Sequence, residues 1–504
     1  MLVLMKKRTT FSNKLLNLKC VGNFNIIGFA EKPVNLKKSQ EIFVGEQIPT
    51  MVGYSIFKDI KKIAEEAVPR AAENLALTLG ALCMILPSFA HSVTPAATRF
   101  LLDWLHQDAH EYKQWSSAIS LGLVSTCLHA TDWKHKHEII DTLLKVAGRS
   151  NRALVIGACG VGLGFACQSL LSGDSVNSAT WKELGTSKQE KIALLGHVVK
   201  NLILLFCWMC PFAIESLQNL YRFEFLNAVD CNIGCIKLPE HAGKHWDNRE
   251  ENVWGIAGLV IGLGTSVVAI QMSGSPAMVV EITNILISWI PIVNSWQERQ
   301  SQSESFDYGD ISEVSLAVGS SLALSTAVNI CLKLELLDEG LDFLVDGFRI
   351  LISKVACQKE HGYLYQNLLM ASYIGSGNLL SCILNESAHP IKVEEVKTLL
   401  ETIRRTYTDQ NPPIVHLGGL VGIVNCISAG AGLVTPSSQQ ALDFHLIAKQ
   451  KETTCVRGRI LSNPLCEQFS QSLIHEILGV VRESNDVQLQ SSTAWAFSFW
   501  GMLT

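Results

Sequence analysis

Charge is scarce in this chain and is not gathered by sign. Asp, Glu, Lys and Arg together make up 17% of 504 residues, the formal net charge is −5, and the Lys and Arg residues are scattered rather than set in a stripe. Without a basic stripe there is no electrostatic footprint for gripping a phosphate backbone, so direct nucleic-acid binding is not expected. The apolar share of 48% and the mean hydropathy of +0.23 exclude disorder and leave two classes, a heavily packed soluble array or a membrane protein. Strand signals are nearly absent. Also missing are a GxxxxGK(S/T) phosphate loop, a GxSxG nucleophile elbow and an HExxH helix pair. The usual devices for phosphate, acyl and zinc-hydrolytic chemistry are therefore lacking. The expectation is a non-catalytic chain with no cofactor.

The chain does contain helix after helix from about residue 55 onward. Thr94 and Pro95 read as an N-cap followed by proline at the first helical position, with Phe100, Leu101, Trp104 and Leu105 on one face. Ile139, Ile140, Leu143, Leu144 and Val146 form the next stripe, which the sequence ends at Gly148 as a left-handed cap. Ser187 with Glu190, and Asp310 with Glu313, mark two later helix starts.

A second kind of helix alternates with these, rich in Gly, Ala and Ser, nearly uncharged and apolar all round. Six stretches carry it: 118–124, 157–164, 255–264, 317–323, 374–380 and 417–422. They recur at about 40 to 60 residues, or about 100 where one copy is not recognisable, near the period of two-helix HEAT-like repeats. Glycine inside a helix costs roughly 1 kcal/mol relative to alanine, and close approach of neighbouring helices would offset that cost. Gly122, Gly157, Gly160, Gly162, Gly164, Gly258, Gly262, Gly264, Gly418, Gly419 and Gly422 are the expected packing residues. In a stacked array the inner helix of each pair is covered on both sides and the outer helix is amphipathic. The expected fold is all-α, an α-solenoid of HEAT/ARM-like helical repeats running continuously over 46–504 after an N-terminal segment, 1–45. The polar runs Gln297 to Asp310, Tyr407 to Pro413 and Lys449 to Arg459 read as loops between repeats.

Two other readings compete. Trp254 to Val280 carries no ionisable side chain and Gln410 to Leu442 carries only His416, lengths that suit a bilayer. Gly and Ser dilute both runs, and Pro276 and Pro436 interrupt them. The GxxxG spacing of Gly258 and Gly262 suits a membrane helix and a close-packed soluble one equally. The second reading is zinc: Cys207, Cys210, Cys231, Cys235, His241 and His245 place thiols and imidazoles at short spacings. Cys207 and Cys210, however, continue an apolar helix through Leu202 to Phe206, and Cys-x3-Cys-x5-His-x3-His is too tight between its pairs for a usual finger, so the expected metal site is none. The glycines of 157–164 do not form a dinucleotide loop, having neither the GxGxxG spacing nor a preceding strand. His135 and His137 stand two apart and diverge on a helix, so 133–138 reads as a solvated helix start. Most of the 15 cysteines sit singly in apolar runs, as Cys83, Cys127, Cys159, Cys167, Cys331, Cys382 and Cys426 do, which fits reduced thiols in the cytoplasm.

Trp115 to Asp132 (WSSAISLGLVSTCLHATD) and Gly157 to Gln168 (GACGVGLGFACQ) resemble the focadhesin family, with the similarity running from about residue 45 to the end. The resemblance implies a HEAT/ARM-like scaffold that in plants links the cytoplasmic RNA exosome to the Ski helicase complex. It also implies roles in cuticular wax production and embryo development through limiting small-RNA silencing of normal transcripts. Exosome and Ski subunits are then the expected partners, the cytoplasm the expected location, and a membrane the alternative. Members of that family are much longer, so a fragment of the family chain is expected. No interaction face is identified by the sequence.

Overall fold

The computed structural model of the protein describes residues 51, 53–86, 93–128, 132–171, 188–223, 226, 249–291, 311–336, 341–357, 362–386, 393–405, 411–427, 475, 479, 482 and 490. Among these the chain is helical and contains no strand. It divides into two compact units, Met1–Asp132 and Trp133–Thr504.

The first unit holds α1 (53–66), α2 (Pro69–Ile85), α3 (Val93–Leu105) and α4 (Glu111–Cys127). Proline at the first position of α2 and Glu111 in the first turn of α4 start these helices where the early N–H groups have no carbonyl partner. α4 is the small-residue helix here and packs on both α2 and α3. The contact with α2 is tight: a Cβ on Gly80 would stand 3.0 Å from Ser120 Cα. Ser120 Oγ donates to the carbonyl of Ala76 at 2.9 Å across the same seam. Phe100, Leu101, Trp104 and Leu105 are buried on α3 as the stripe requires. The start of α3 differs from the sequence expectation. Val93 is already helical, so Thr94 lies inside the first turn, where its carbonyl accepts from Thr98 Oγ1.

The second unit begins with α5 (Trp133–Arg149) and α6 (Ala153–Gln168), followed by α7 (Lys188–Met209). Pro211 breaks the chain into a 3-10 turn, the short α8 (Ile214–Gln218) and a second 3-10 turn, Asn219–Arg222. Then come α9 (Arg249–Met272), α10 (Pro276–Ser288), α11 (Ile311–Lys333), α12 (Leu341–Cys357), α13 (Tyr363–Glu386), α14 (Val393–Arg404) and α15 (Pro413–Ile427). Gly148 is helical and buried within α5 rather than a left-handed cap. The stripe of α5 runs one turn past Val146, and Arg149 closes it with a cation at the negative helix end. The positive-φ cap among the described glycines is Gly274 (φ 92°), after α9, where Ser275 N–H reaches back to Ile270 O. Glu190 and Glu313 lie in the first turns of α7 and α11, while Ser187 and Asp310 fall outside the described residues.

Five small-residue helices of this unit pack in sequence order: α6 on α9, α9 on α11, α11 on α13 and α13 on α15. Each also touches a helix of another kind: the amphipathic α5 against α6, α10 against α9 and α11, α12 against α13 and α14 against α15, and the long, largely buried apolar α7 against α9. The small-residue helices run parallel. Gly157 meets Trp254 and Gly255, Gly160 meets Gly258 and Leu259, and Gly164 meets Gly262 and Thr265, so both residue numbers rise together. The same holds for Gly319 against Ala257 and Gly264 against Ala323, and for Gly418 against Met370 and Gly422 against Tyr373. α7, Val253–Met272 and α11 are long and apolar enough to cross a membrane by length and composition.

Backbone on backbone makes these positions intolerant of any side chain. A Cβ on Gly164 would stand 2.6 Å from Gly262 O, and one on Gly255 2.7 Å from Ala153 O; a Cβ on Gly258 would collide with Gly157 O. Gly362, before α13, has open space at the Cβ position and no positive φ. Gly258→Ala is expected to lower stability by about 2 kcal/mol or more through overpacking, whereas Gly362→Ala leaves it unchanged or raises it by about 0.5 kcal/mol through the unfolded chain. Thermal unfolding of the two variants beside the parent chain checks both; equal midpoints would contradict the packing described.

Candidate functional site

The small-residue seam is the most elaborated feature of the described structure. Gly157, Gly160 and Gly164 on α6 interlock with Gly258 and Gly262 on α9, while Gly264 turns the other way to Ala323 of α11. Gly418 and Gly422 of α15 seat on α13. Gly122, Gly162 and Gly419 are buried in α4, α6 and α15. The glycines of 157–164 therefore occupy a helix interior, with their N–H groups used within the helix rather than turned to a phosphate.

Side chains that bear chemistry are for the most part absorbed by packing. Burial pushes the Cys83 and Cys159 thiols up to about 12 and the Cys167 thiol higher still. Cys207 is half-buried at the end of α7 and its thiol is also raised by burial, and Cys210 is buried one residue beyond the helix. Burial thus works against the thiolate that zinc or redox chemistry needs at Cys159, Cys167 and Cys207. Cys231, Cys235, His241 and His245 lie outside the described residues. Among the described residues no three His, Cys, Asp or Glu side chains gather where a metal would be held.

Three buried polar groups were not singled out by the sequence reading. Lys136, expected on a solvated helix start, is buried, and its Nζ donates to the carbonyl of Ser169 at 2.9 Å. Ser169 caps α6, so a cation from the first turn of α5 meets the negative end of the antiparallel helix and one of its orphan carbonyls. The signal was present: Lys136 stands three and four residues before Ile139 and Ile140, on the apolar stripe itself. The second group is His197 on α7, which is buried, with Asn201 Nδ2 at 3.3 Å and 3.2 Å from its two ring nitrogens. Burial, then the nearby Lys200, hold its pKa below the usual histidine range, against a smaller raising effect of Asp141. The third is a pair of amides on the seam, Asn425 Nδ2 donating to Asn378 Oδ1 at 2.7 Å between α15 and α13. Asn378 and Asn425 lie in runs of apolar or small residues whose pattern gives no hint that a polar partner waits on another helix.

The exposed faces carry charges of both signs. Lys145 and Asp141 pair at 2.6 Å on α5, Arg404 and Glu401 at 2.7 Å on α14, and Lys61 and Glu65 at 3.8 Å on α1. Arg222 of the turn after α8 reaches Glu281 of α10 at 3.2 Å. Such exposed pairs hold little stability.

No protein family profile matches the chain, and no curated protein matches it. An engineered protein solved by the Northeast Structural Genomics Consortium aligns with 88% of this chain and 99% of its own at 13% identity, with a TM-score of 0.20. A similarity that weak carries no argument about the fold or the function.

Two outcomes test these buried groups. Lys136→Met keeps the apolar stem but leaves Ser169 O without its donor, and is expected to cost about 1–3 kcal/mol in denaturant unfolding; no loss would remove the capping role. For His197 the folded-state pKa lies below the unfolded one, so its contribution to stability is complete above about pH 6.5 and is lost as pH falls through the folded value. The unfolding midpoint should drop more between about pH 7.5 and about pH 5 in the parent chain than in His197→Gln, measured by circular dichroism. Equal drops would show that the imidazole does not titrate as described.

Proposed function

We propose that the chain is a non-catalytic scaffold, an α-solenoid of HEAT/ARM-like helix pairs that holds other proteins in the cytoplasm. The observation that carries this reading is the sequence-ordered packing of parallel small-residue helices, each with an amphipathic neighbour. That is the arrangement expected of stacked repeats, in which every unit touches chiefly the next. The mixed charge of the outer faces suits contact with proteins better than with a phosphate backbone. The focadhesin-like stretches 115–132 and 157–168 supply the finer proposal: an adaptor between the RNA exosome and the Ski complex in mRNA decay, limiting small-RNA silencing and through it affecting cuticular wax and embryo development.

A second reading is favoured by the three helices long enough to span a bilayer, and makes the chain a multi-pass membrane protein of lipid or wax metabolism. Against it stands the way those helices are covered. Of the apolar windows, 94% in α11 and 83% in α9 are buried by neighbouring helices of the same chain. Part of that cover is α10, which carries Glu281 and is too short at 13 residues to span a bilayer beside them.

Expression of the tagged chain in plant cells separates the two. After detergent-free lysis and ultracentrifugation, the scaffold reading expects the protein in the supernatant with exosome and Ski subunits attached. Recovery in an alkali-resistant membrane pellet would overturn it in favour of the membrane reading. A soluble chain with neither set of subunits would retain the scaffold and remove the RNA-decay assignment.

A further inference from the structure

The seam between α2 and α4 carries two thiols in register. Ser120 Oγ reaches Ala76 O at 2.9 Å, and a Cβ on Gly80 would stand 3.0 Å from Ser120 Cα, so the two backbones are in contact at this point. The helices are parallel here, since the Glu73 carboxylate accepts from the Trp115 side chain before this point and Cys83 senses Cys127 after it, both residue numbers rising together. Seven residues beyond Ala76 on α2 is Cys83, and seven beyond Ser120 on α4 is Cys127. A step of seven returns a helix to the same face within about 20°, so both cysteines lie on the faces that meet in this contact, about two turns further along. Their environments differ in a useful way. Cys83 is buried, with 2% exposure, and Cys127 is only half-buried, in the last turn of α4, where it lies between Thr126 Oγ1 at 3.6 Å and Leu123 O at 3.5 Å. The two thiols sense each other electrostatically, Cys127 adding to the burial that raises Cys83.

We infer that Cys83 and Cys127 form a peroxide-responsive disulfide that staples α2 to α4. In the resting, reduced state both are thiols. A peroxide oxidises the Cys127 thiolate to a sulfenic acid, its O–O bond breaking and the second oxygen leaving as water after taking up the thiol proton. The Cys83 sulfur then attacks the Cys127 sulfur, the S–S bond forms, and the sulfenic hydroxyl leaves with the Cys83 proton as a second water. Two thiols and one peroxide thus give one disulfide and two waters. The half-buried partner meets the oxidant and the buried partner resolves it, which keeps Cys83 from over-oxidation. Burial of Cys83 makes the second step slow at neutral pH, so the staple answers sustained oxidation rather than brief pulses. Closing a loop of this length across a contact already formed stabilises α2 and α4 against opening.

The test is disulfide mapping of the full chain. The purified, reduced protein is treated with hydrogen peroxide, free thiols are alkylated, and the chain is digested without reductant for mass spectrometry. The expected product is a peptide pair joined through Cys83 and Cys127, released by dithiothreitol and absent from Cys127→Ser. The same treatment should raise the unfolding midpoint of the parent chain by several degrees and leave that of Cys127→Ser unmoved. Cys83→Ala, which leaves the rim thiol in place, should let Cys127 proceed to the sulfinic acid. Recovery of Cys83 as its alkylated thiol after full oxidation of Cys127, or linkage of either residue to a different cysteine, would overturn the inference.

Discussion

The close approach of one helix backbone to another governs the described structure. Where Gly157, Gly160 and Gly164 meet Gly258 and Gly262, carbonyl and Cα of one helix fill the space a side chain would take on the other. Dispersion between densely packed backbones replaces the apolar side-chain contacts of an ordinary core. It fixes the register of α9 on α6, because a slip of one residue would bring a β-carbon into a carbonyl oxygen. The covering helices follow from that choice. Helices so poor in side chains cannot solvate their flanks, and α5, α7, α10, α12 and α14 cover them with ordinary Leu, Ile and Val faces.

Much of this architecture was legible in the residues. All six small-residue stretches are helices, and amphipathic helices stand beside them, although α7 is apolar nearly all round; composition reports directly on burial. Boundaries were less legible. Gly148 read as a cap because it ends an apolar stripe, yet the helix continues through it. Thr94 and Pro95 read as the start of α3, but the helix takes in Val93 as well, for proline is tolerated throughout the first turn. Partner choice across helices was not legible at all. The pairing of Lys136 with Ser169, and of Asn378 with Asn425, depends on which helices become neighbours, and nothing in the local pattern carries that information.

The buried polar groups have a common logic. Lys136 closes a helix end, His197 and Asn201 satisfy each other within α7, and Gln168 Nε2 reaches Thr265 O at 3.1 Å between α6 and α9. Lys136 and Gln168 each fix one arrangement of neighbours among several that small residues alone would permit. Smooth, small-residue surfaces specify closeness well and register less well, and polar atoms that must find one partner supply what is missing.

The parallel sense of the small-residue helices sets up a field as well as a packing. Each helix carries about half a positive charge at its N-terminus and half a negative charge at its C-terminus. In the second unit five such ends of one sign would collect along one edge and five of the other sign along the opposite edge. α5 lies antiparallel to α6, as the Lys136 link from the start of one to the end of the other shows, and brings opposite poles to both ends of that helix. α5 is therefore a counter-dipole as well as a cover. Removing it would leave an apolar face bare and, at the same place, an uncompensated charge at both ends of α6.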